Sequence, residues 1–375
     1  MPINKPVVIT ALLYCLVCAC SMDKAVTTYS SPRTYEPEAI QAFDQNAEVR
    51  NVILMIGDGM GLEQASCAWV CNKGHLYLDQ MPSVGLSRTY SANRLITDSA
   101  AGGTALAAGQ KTDNGHVGVN PDGVDLTTLM GLAQKAGMRT GVVTTCRLND
   151  ATPADFCCHN SVRDEAEDIV ADYLSSGVDV IAGGGLRFWR NRSDGRDIIA
   201  EMKEKGYSTA LTFDEFAAAQ TVPALAVLAD IELPVALERG DLYRNMVAKT
   251  LDLLSADGNR FFAMLEGSCI DDWLHANRID LAVEEALDFD RTLGDVLKWA
   301  AADGHTLVIV TADHSTGSLT LNGGSLEEGR IDVNFASEGH NGIAVPYYVW
   351  GPGSSAFSGI YENSELSRRI SEFIR

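Results

Sequence analysis

The sequence predicts an α/β fold, a doubly wound and mostly parallel central sheet with helices on both faces. Six short apolar runs bounded by turn residues recur: Asn51–Ile56, Thr140–Thr145, Val178–Ala182, Arg260–Leu265, His305–Thr311 and Val345–Trp350. Each is near-continuous rather than alternating, the pattern of strands buried on both faces. Helical periodicity fills the intervals, and strands alternating with helices build parallel sheets. A length of 375 residues with 46% apolar content supplies a large core and excludes disorder for the bulk of the chain.

The amino terminus reads as an address. Lys5 precedes an apolar run from Val7 to Val17, the length of a signal-peptide core. A bilayer-spanning helix needs about 20 apolar residues, so this run is too short to cross. Val17-Cys18-Ala19-Cys20 resembles a bacterial lipobox with Cys20 as the lipidated residue. The competing reading is ordinary signal cleavage after a small residue. Both imply export, to a periplasm or to a lipid-anchored position on a bacterial membrane. The domain plan is a signal peptide over 1–19, a tether or N-terminal arm over 20–48, and one large domain over 49–375. The tether reading rests on the Ser, Thr, Pro and Glu content of Ser21–Glu48.

Helices are expected at Asp125–Ala136, Arg163–Ser175, Asp197–Lys205, Leu242–Ser255 and Arg278–Ala302. In the last, Ile279, Ala282, Val283, Ala286, Phe289, Leu293, Val296, Leu297 and Ala300 form a packing stripe. Gly183–Pro234 is the least periodic stretch and is expected to carry surface excursions. Cys67, Cys71, Cys146, Cys157, Cys158 and Cys269 show no zinc-type pairing and read as buried free thiols.

In doubly wound sheets, ligands sit beyond the carboxyl ends of the strands. Asn51–Ile56 ends in Gly57-Asp58-Gly59-Met60-Gly61, where glycines let the chain turn and leave a carboxylate at the sheet edge. Arg260–Leu265 runs into Glu266-Gly267-Ser268-Cys269-Ile270-Asp271, with His275 one helical turn beyond Asp271. His305–Thr311 ends in Ala312-Asp313-His314, and His340 sits between glycines in Gly339-His340-Asn341-Gly342. Any one of these is ordinary as a turn aspartate or a surface pair. Together they give three histidines and four carboxylates at strand ends, more than one zinc uses. Two ions a few ångströms apart would use them all, the arrangement that serves phosphoryl transfer.

Ile96-Thr97-Asp98-Ser99-Ala100-Ala101-Gly102-Gly103 reads as a helix start with Thr97 or Asp98 as cap. Ser99 there is either a capping residue or a nucleophile that feels the positive end of the helix. A zinc ion would deprotonate its hydroxyl without a nearby histidine base. Arg163, beyond Arg147-Leu148-Asn149-Asp150-Ala151-Thr152-Pro153, is either solvent-facing or a fork for two phosphate oxygens. His75, His116, His159 and His305 show no partner pattern and read as structural or solvated.

From Arg50 to about Gly353 the sequence resembles the bacterial alkaline phosphatases. The motifs that carry this are GDGMG at 57–61, TDSAAGGTA at 97–105, DATP at 150–153, EGSCID with His275, TADH at 311–314 and GHNG at 339–342. The resemblance implies a metal-dependent phosphomonoesterase of broad specificity that makes inorganic phosphate through a phosphoserine at Ser99. It implies one zinc on Asp271, His275 and His340, and a second on Asp58, Asp313 and His314 beside Ser99. It implies one magnesium on Asp58, Thr152 and Glu266, with Asp150 reaching it through water, and Arg163 on the phosphate. It also implies that the alcohol stays in solvent, and a homodimer as the usual assembly.

Two departures bear on this. Asp272 stands where relatives carry Lys, His or Trp, which predicts a more negative surround and weaker phosphate retention. The interval His314–His340 is short, so the insertion some relatives use at the dimer interface is expected to be reduced or absent, which counts against the usual dimer. Alternatives are a phosphodiesterase or other member of the same superfamily, or a phosphate- or metal-binding lipoprotein without turnover. A sulfatase is disfavoured, since Ser99 is followed by Ala-Ala-Gly-Gly rather than x-Pro-x-Arg. The net charge of −21 speaks against nucleic acid as a partner, because phosphate backbones would be repelled. Small phosphate monoesters remain, provided cations reverse the local sign.

Overall fold

The computed structural model describes residues 26–374. The expected signal peptide over 1–19 and the lipidated Cys20 lie outside the described residues. Among these, no helix is long and apolar enough to cross a membrane.

Among the described residues the main sheet has ten strands. In spatial order they are Gly359–Glu362, Ser83–Arg88, Val345–Trp350, Thr306–Thr311, Asn51–Gly57, Phe261–Gly267, Arg139–Arg147, Val180–Gly184, Ala224–Val227 and Ser208–Ala210. Only Val345–Trp350 runs against the rest, pairing antiparallel with both neighbours. The centre is the most apolar part: Val52 lies between Phe262 and Leu307, and Leu54 between Met264 and Ile309. Every residue of Asn51–Gly57 and Phe261–Gly267 is buried, because helices cover both faces. Two hydrophobic clusters result, one on each side of the sheet.

The long helix spans Ile279–Asp303 and stops at Gly304, whose φ of +75° suits the left-handed cap. Its expected stripe is buried, and so are Glu284, Glu285, Asp288 and Asp290. Arg239 neutralises two of these, 2.7 Å from Asp288 and closer still to Glu285. Glu284 and Asp290 anchor the segment that precedes the domain. Thr27–Ser30 pairs antiparallel with Arg330–Phe335, and Tyr29 donates to Glu284 at 2.8 Å. Tyr35 donates to Asp290, which also accepts from the amides of Tyr77 at 2.8 Å and Leu78 at 3.0 Å. Residues 26–48 therefore lie along the domain as an arm.

Some boundaries differ from expectation. The helix expected from Asp125 begins at Leu129, because Thr128 caps it through Gly131 at 3.2 Å and Asp125 is taken by a bridge to Val119. The helix expected from Arg163 begins at Ala166, leaving Arg163 in the preceding loop. Gly183–Pro234 is not only surface excursion. It contributes Ser208–Ala210 and Ala224–Val227 to the sheet, strands too short to show a period. The six described cysteines are buried and unpaired.

Burial pushes Asp290 up to about 6 against three hydrogen bonds that favour the carboxylate. Its folded value lies above the unfolded ~3.9, so its contribution is full at low pH and is lost as pH rises through about 6. Asp290→Asn removes that dependence. Its stability relative to the unaltered protein should rise by about 2 kcal/mol between about pH 4.5 and pH 7, followed by urea unfolding. A difference that stays flat over this range would contradict the assignment.

Candidate active site

Four parallel strands deliver acidic groups to one edge. Asp58 follows Asn51–Gly57, Glu266 closes Phe261–Gly267, Asp313 and His314 follow Thr306–Thr311, and Asp150 follows Arg139–Arg147. Asp271 and His275 ride on the helix Cys269–His275, one turn apart. His340 comes from the two-residue strand His340–Asn341, paired with Ser315–Thr316. Gly59 is required at this crossing: its φ is +66°, and a Cβ there would stand 2.6 Å from Asp271 Oδ1.

The inner cluster is Asp58, Asp313 and His314. His314 Nε2 lies 3.0 Å from Asp313 Oδ2 and 3.5 Å from Asp58 Oδ1. Ser99 Oγ reaches the same nitrogen at 3.2 Å. Ser99 opens the helix Ser99–Ala108, and Asp98 is its cap, accepting from Ala101 N at 3.0 Å. The small residues of this helix permit close approach. A Cβ on Gly103 would stand 2.1 Å from Asp155 Oδ2.

The outer cluster is Asp271, His275 and His340. His275 Nε2 is 3.1 Å from Asp271 Oδ2 and 3.1 Å from His340 Nε2. The His340 ring stacks on His314 with centroids 3.5 Å apart, so the two clusters adjoin. His340 Nδ1 is bonded to the Thr97 carbonyl at 2.8 Å, and His275 Nδ1 to the Glu338 carbonyl. A carbonyl only accepts, so both Nδ1 atoms carry hydrogen and both Nε2 atoms are left as ligand positions.

The third set is looser. Thr152 Oγ1 lies 3.3 Å from Asp58 Oδ2, while Glu266 accepts from Thr144. Asp150 is engaged by Arg147 at 3.0 Å and by Arg163 at 3.5 Å. Arg163 also pairs with Asp98 at 3.3 Å, so the two acids hold its guanidinium toward the start of the Ser99 helix. Arg147 is a cation that sequence reasoning left without a role. It pairs with Asp150 and also with Glu232, so its charge is divided between two acids and offsets only part of the acidity expected around Asp150 and Asp272.

Thr316 was missed as well. It donates to Asp271 and faces His314 Nδ1 at 3.2 Å, tying the clusters together. Its position two residues past His314 was the available signal. Three other histidines bond to backbone carbonyls away from the clusters: His116 to Asn120 at 3.1 Å, His159 to Leu126 at 2.9 Å and His305 to Glu48 at 2.9 Å.

The donor set fits cations. Asp58 Oδ1 and Glu266 Oε1 are buried without a hydrogen-bond donor, and Asp313 Oδ2 faces the His314 ring nitrogen at 3.0 Å. Such oxygens are costly unless a cation takes them. Burial, then the facing Asp313 carboxylate, holds Asp58 well above the usual carboxylate range. Hydrogen bonding to Asp271 pushes His275 up to about 9, whereas burial and then His314 push His340 down to about 4. Oxygen and imidazole donors in threes suit zinc, and the oxygen-only set of Asp58, Thr152 and Glu266 suits magnesium.

The family model for alkaline phosphatase matches residues 49–330. Alkaline phosphatase 4 of Bacillus subtilis is 36% identical over 294 residues, 73% of this chain and 63% of its own length. The chain thus spans under two thirds of that relative. Alkaline phosphatase 3 of the same organism is 29% identical, over 86% of this chain and 88% of its own. The alkaline phosphatase of the Antarctic bacterium TAB5 superposes with a TM-score of 0.83 at 36% identity, covering 88% of this chain and 99% of that one. A variant of the TAB5 enzyme has been solved with magnesium bound in its M3 site.

Chelation should lower the midpoint of thermal unfolding by several degrees, read by calorimetry with and without EDTA. A site held at a hundred times its Kd contributes about 2.7 kcal/mol. Returning zinc and magnesium should restore the midpoint; an unchanged midpoint would count against cations here.

Proposed function

The chain belongs to the alkaline phosphatase family, and from that premise we propose that it hydrolyses phosphate monoesters through a phosphoserine at Ser99. The observation that carries this is Ser99 Oγ beside His314 Nε2 at 3.2 Å, on a helix start that adjoins two three-residue ligand clusters. Asp58, Asp313 and His314 would hold one zinc, Asp271, His275 and His340 a second, and Asp58, Thr152, Glu266 and more remotely Asp150 a magnesium. When bound, these ions supply Lewis acidity that lowers the pKa of the serine hydroxyl and of a hydrolytic water.

The chain's own residues do the rest. Ser99 Oγ loses its proton and bonds to phosphorus as the P–O bond to the alcohol breaks and the alcohol leaves protonated. Water then attacks phosphorus, the Ser99–phosphorus bond breaks, and Ser99 regains a proton as inorganic phosphate departs. Two in-line displacements give retention at phosphorus. Arg163, held by Asp98 and Asp150, presents its fork to the non-bridging oxygens, and the helix start adds positive potential. Thr97 and Glu338 carbonyls keep the His340 and His275 rings aimed. The proposal extends to export through residues 1–19, lipidation at Cys20 and a homodimer.

The protein loaded with zinc and magnesium should turn over p-nitrophenyl phosphate much faster than bis-p-nitrophenyl phosphate. The reverse preference would favour the phosphodiesterase reading, and absent turnover the binding-only one. Ser99→Ala should abolish the acid-stable labelled phosphoenzyme; label retained in that variant would remove Ser99 from the role.

Asp272 is exposed next to Asp271, and a cation there would favour bound phosphate. Asp272→Lys should tighten competitive inhibition by inorganic phosphate severalfold. Weaker inhibition in the variant would contradict this reading of Asp272.

A further inference from the structure

A groove of about 600 Å³ opens beside the outer cluster, walled by Arg94, Leu95, Ile96, Thr97, Asp98, Asn114, His275 and His340. Its size is that of a small-ligand pocket. Leu95 is 78% exposed and Ile96 44%, two adjacent aliphatic side chains placed in water immediately before the Thr97-Asp98-Ser99 segment.

Their backbone is held. Asn114 Nδ2 donates to the Ile96 carbonyl at 3.1 Å, and Asn93 Oδ1 accepts from Asn114 N at 3.1 Å. Ser91 N donates to the Arg94 carbonyl at 3.0 Å, and the Thr97 carbonyl is fixed by His340. Across the groove the 339–342 turn closes in, so that a Cβ on Gly342 would lie 3.8 Å from Leu95 Cγ. Exposed apolar surface on a preorganised loop binds at low ordering cost.

Position identifies the occupant. In an in-line displacement the departing oxygen leaves on the side opposite the attacking one. Ser99 is grouped with the inner cluster, and the groove is walled by His275 and His340 of the outer one. The alcohol portion of a monoester therefore emerges into the groove. Leu95 and Ile96 offer it apolar contact. Arg94, which makes no ion pair among the described residues, places a positive charge at the rim.

We propose that Leu95 and Ile96 form a leaving-group subsite, which makes the enzyme selective for phosphate monoesters of alcohols with a bulky apolar body. This rests on the monoesterase reading above and departs from the expectation that the alcohol stays in solvent.

The test compares 2-phenylethyl phosphate with ethyl phosphate, whose alcohols have similar leaving ability, on the metal-loaded full chain. The expected result is a kcat/KM about tenfold higher for the phenylethyl ester, the scale of a modest apolar contact. In Leu95→Ser/Ile96→Ser that ratio should fall toward one. On the unaltered enzyme, 2-phenylethylphosphonate should inhibit more tightly than ethylphosphonate by a similar factor, which keeps the test decisive if the variant misfolds. Equal kcat/KM values with good turnover of both esters would overturn the subsite and leave the monoesterase reading intact. Turnover of neither ester would overturn both. If a second copy of the chain covers the groove instead, the ratio will be one, and the double variant will lower the molar mass by light scattering.

Discussion

Asp58, Glu266, Asp271 and Asp313 are buried together at one edge of the sheet, and the rest of the structure answers to that crowding. Taking each carboxylate out of water costs several kcal/mol, and their mutual repulsion adds to it. Two outlets exist. The acids can hold protons, as the raised Asp58 and Glu266 show, or cations can take their place. A protonated edge has no use for the imidazoles that face it with Nε2 outward. A cation-bearing edge needs them.

Such a cluster survives only on a frame that does not yield. The centre of the sheet supplies it, with Asn51–Gly57 and its two neighbours buried throughout and apolar along their middles. The strands fix where Asp58, Glu266 and Asp313 begin, and the final aim comes from a second layer of bonds. Thr316 joins Asp271 to His314, two backbone carbonyls set the outer histidines, and Asp98 caps the Ser99 helix while bracing Arg163. Most of that layer is backbone or hydroxyl.

This division explains what the sequence disclosed. The strands that carry the acids are near-continuous apolar runs bounded by turn residues, so Asn51–Gly57, Phe261–Gly267 and Thr306–Thr311 were legible within a residue or two. The polar groups at their ends stood out because nothing about packing asks for them there. The groove could not be seen, because Leu95 and Ile96 look like any short apolar pair until their exposure is known. Ser208–Ala210 and Ala224–Val227 were invisible for a different reason: three or four residues carry no period, and only the partner strand makes them sheet. Arg147 is a third case, since its significance lies in Asp150 and Glu232, and the latter is distant in the chain.

The net charge of −21 takes a different meaning once the acids are placed. Read as a bulk property, it opposes any dianionic substrate, and losing residues 1–19 would remove one Lys and no acid. Yet Arg163 is held beside the Ser99 helix by Asp98 and Asp150, and Arg94 rims the groove next to His275 and His340. On the proposed reading, two zinc ions and one magnesium reverse the sign locally, while the outer surface keeps its own. Attraction of a phosphate then acts only within about a Debye length, ~8–10 Å at physiological salt, and the bulk field works against it further out. An enzyme that cannot steer its substrate from a distance gains from any contact that lengthens the encounter once the phosphate is near. An apolar wall beside the leaving oxygen is such a contact, and it is indifferent to the charge that surrounds it.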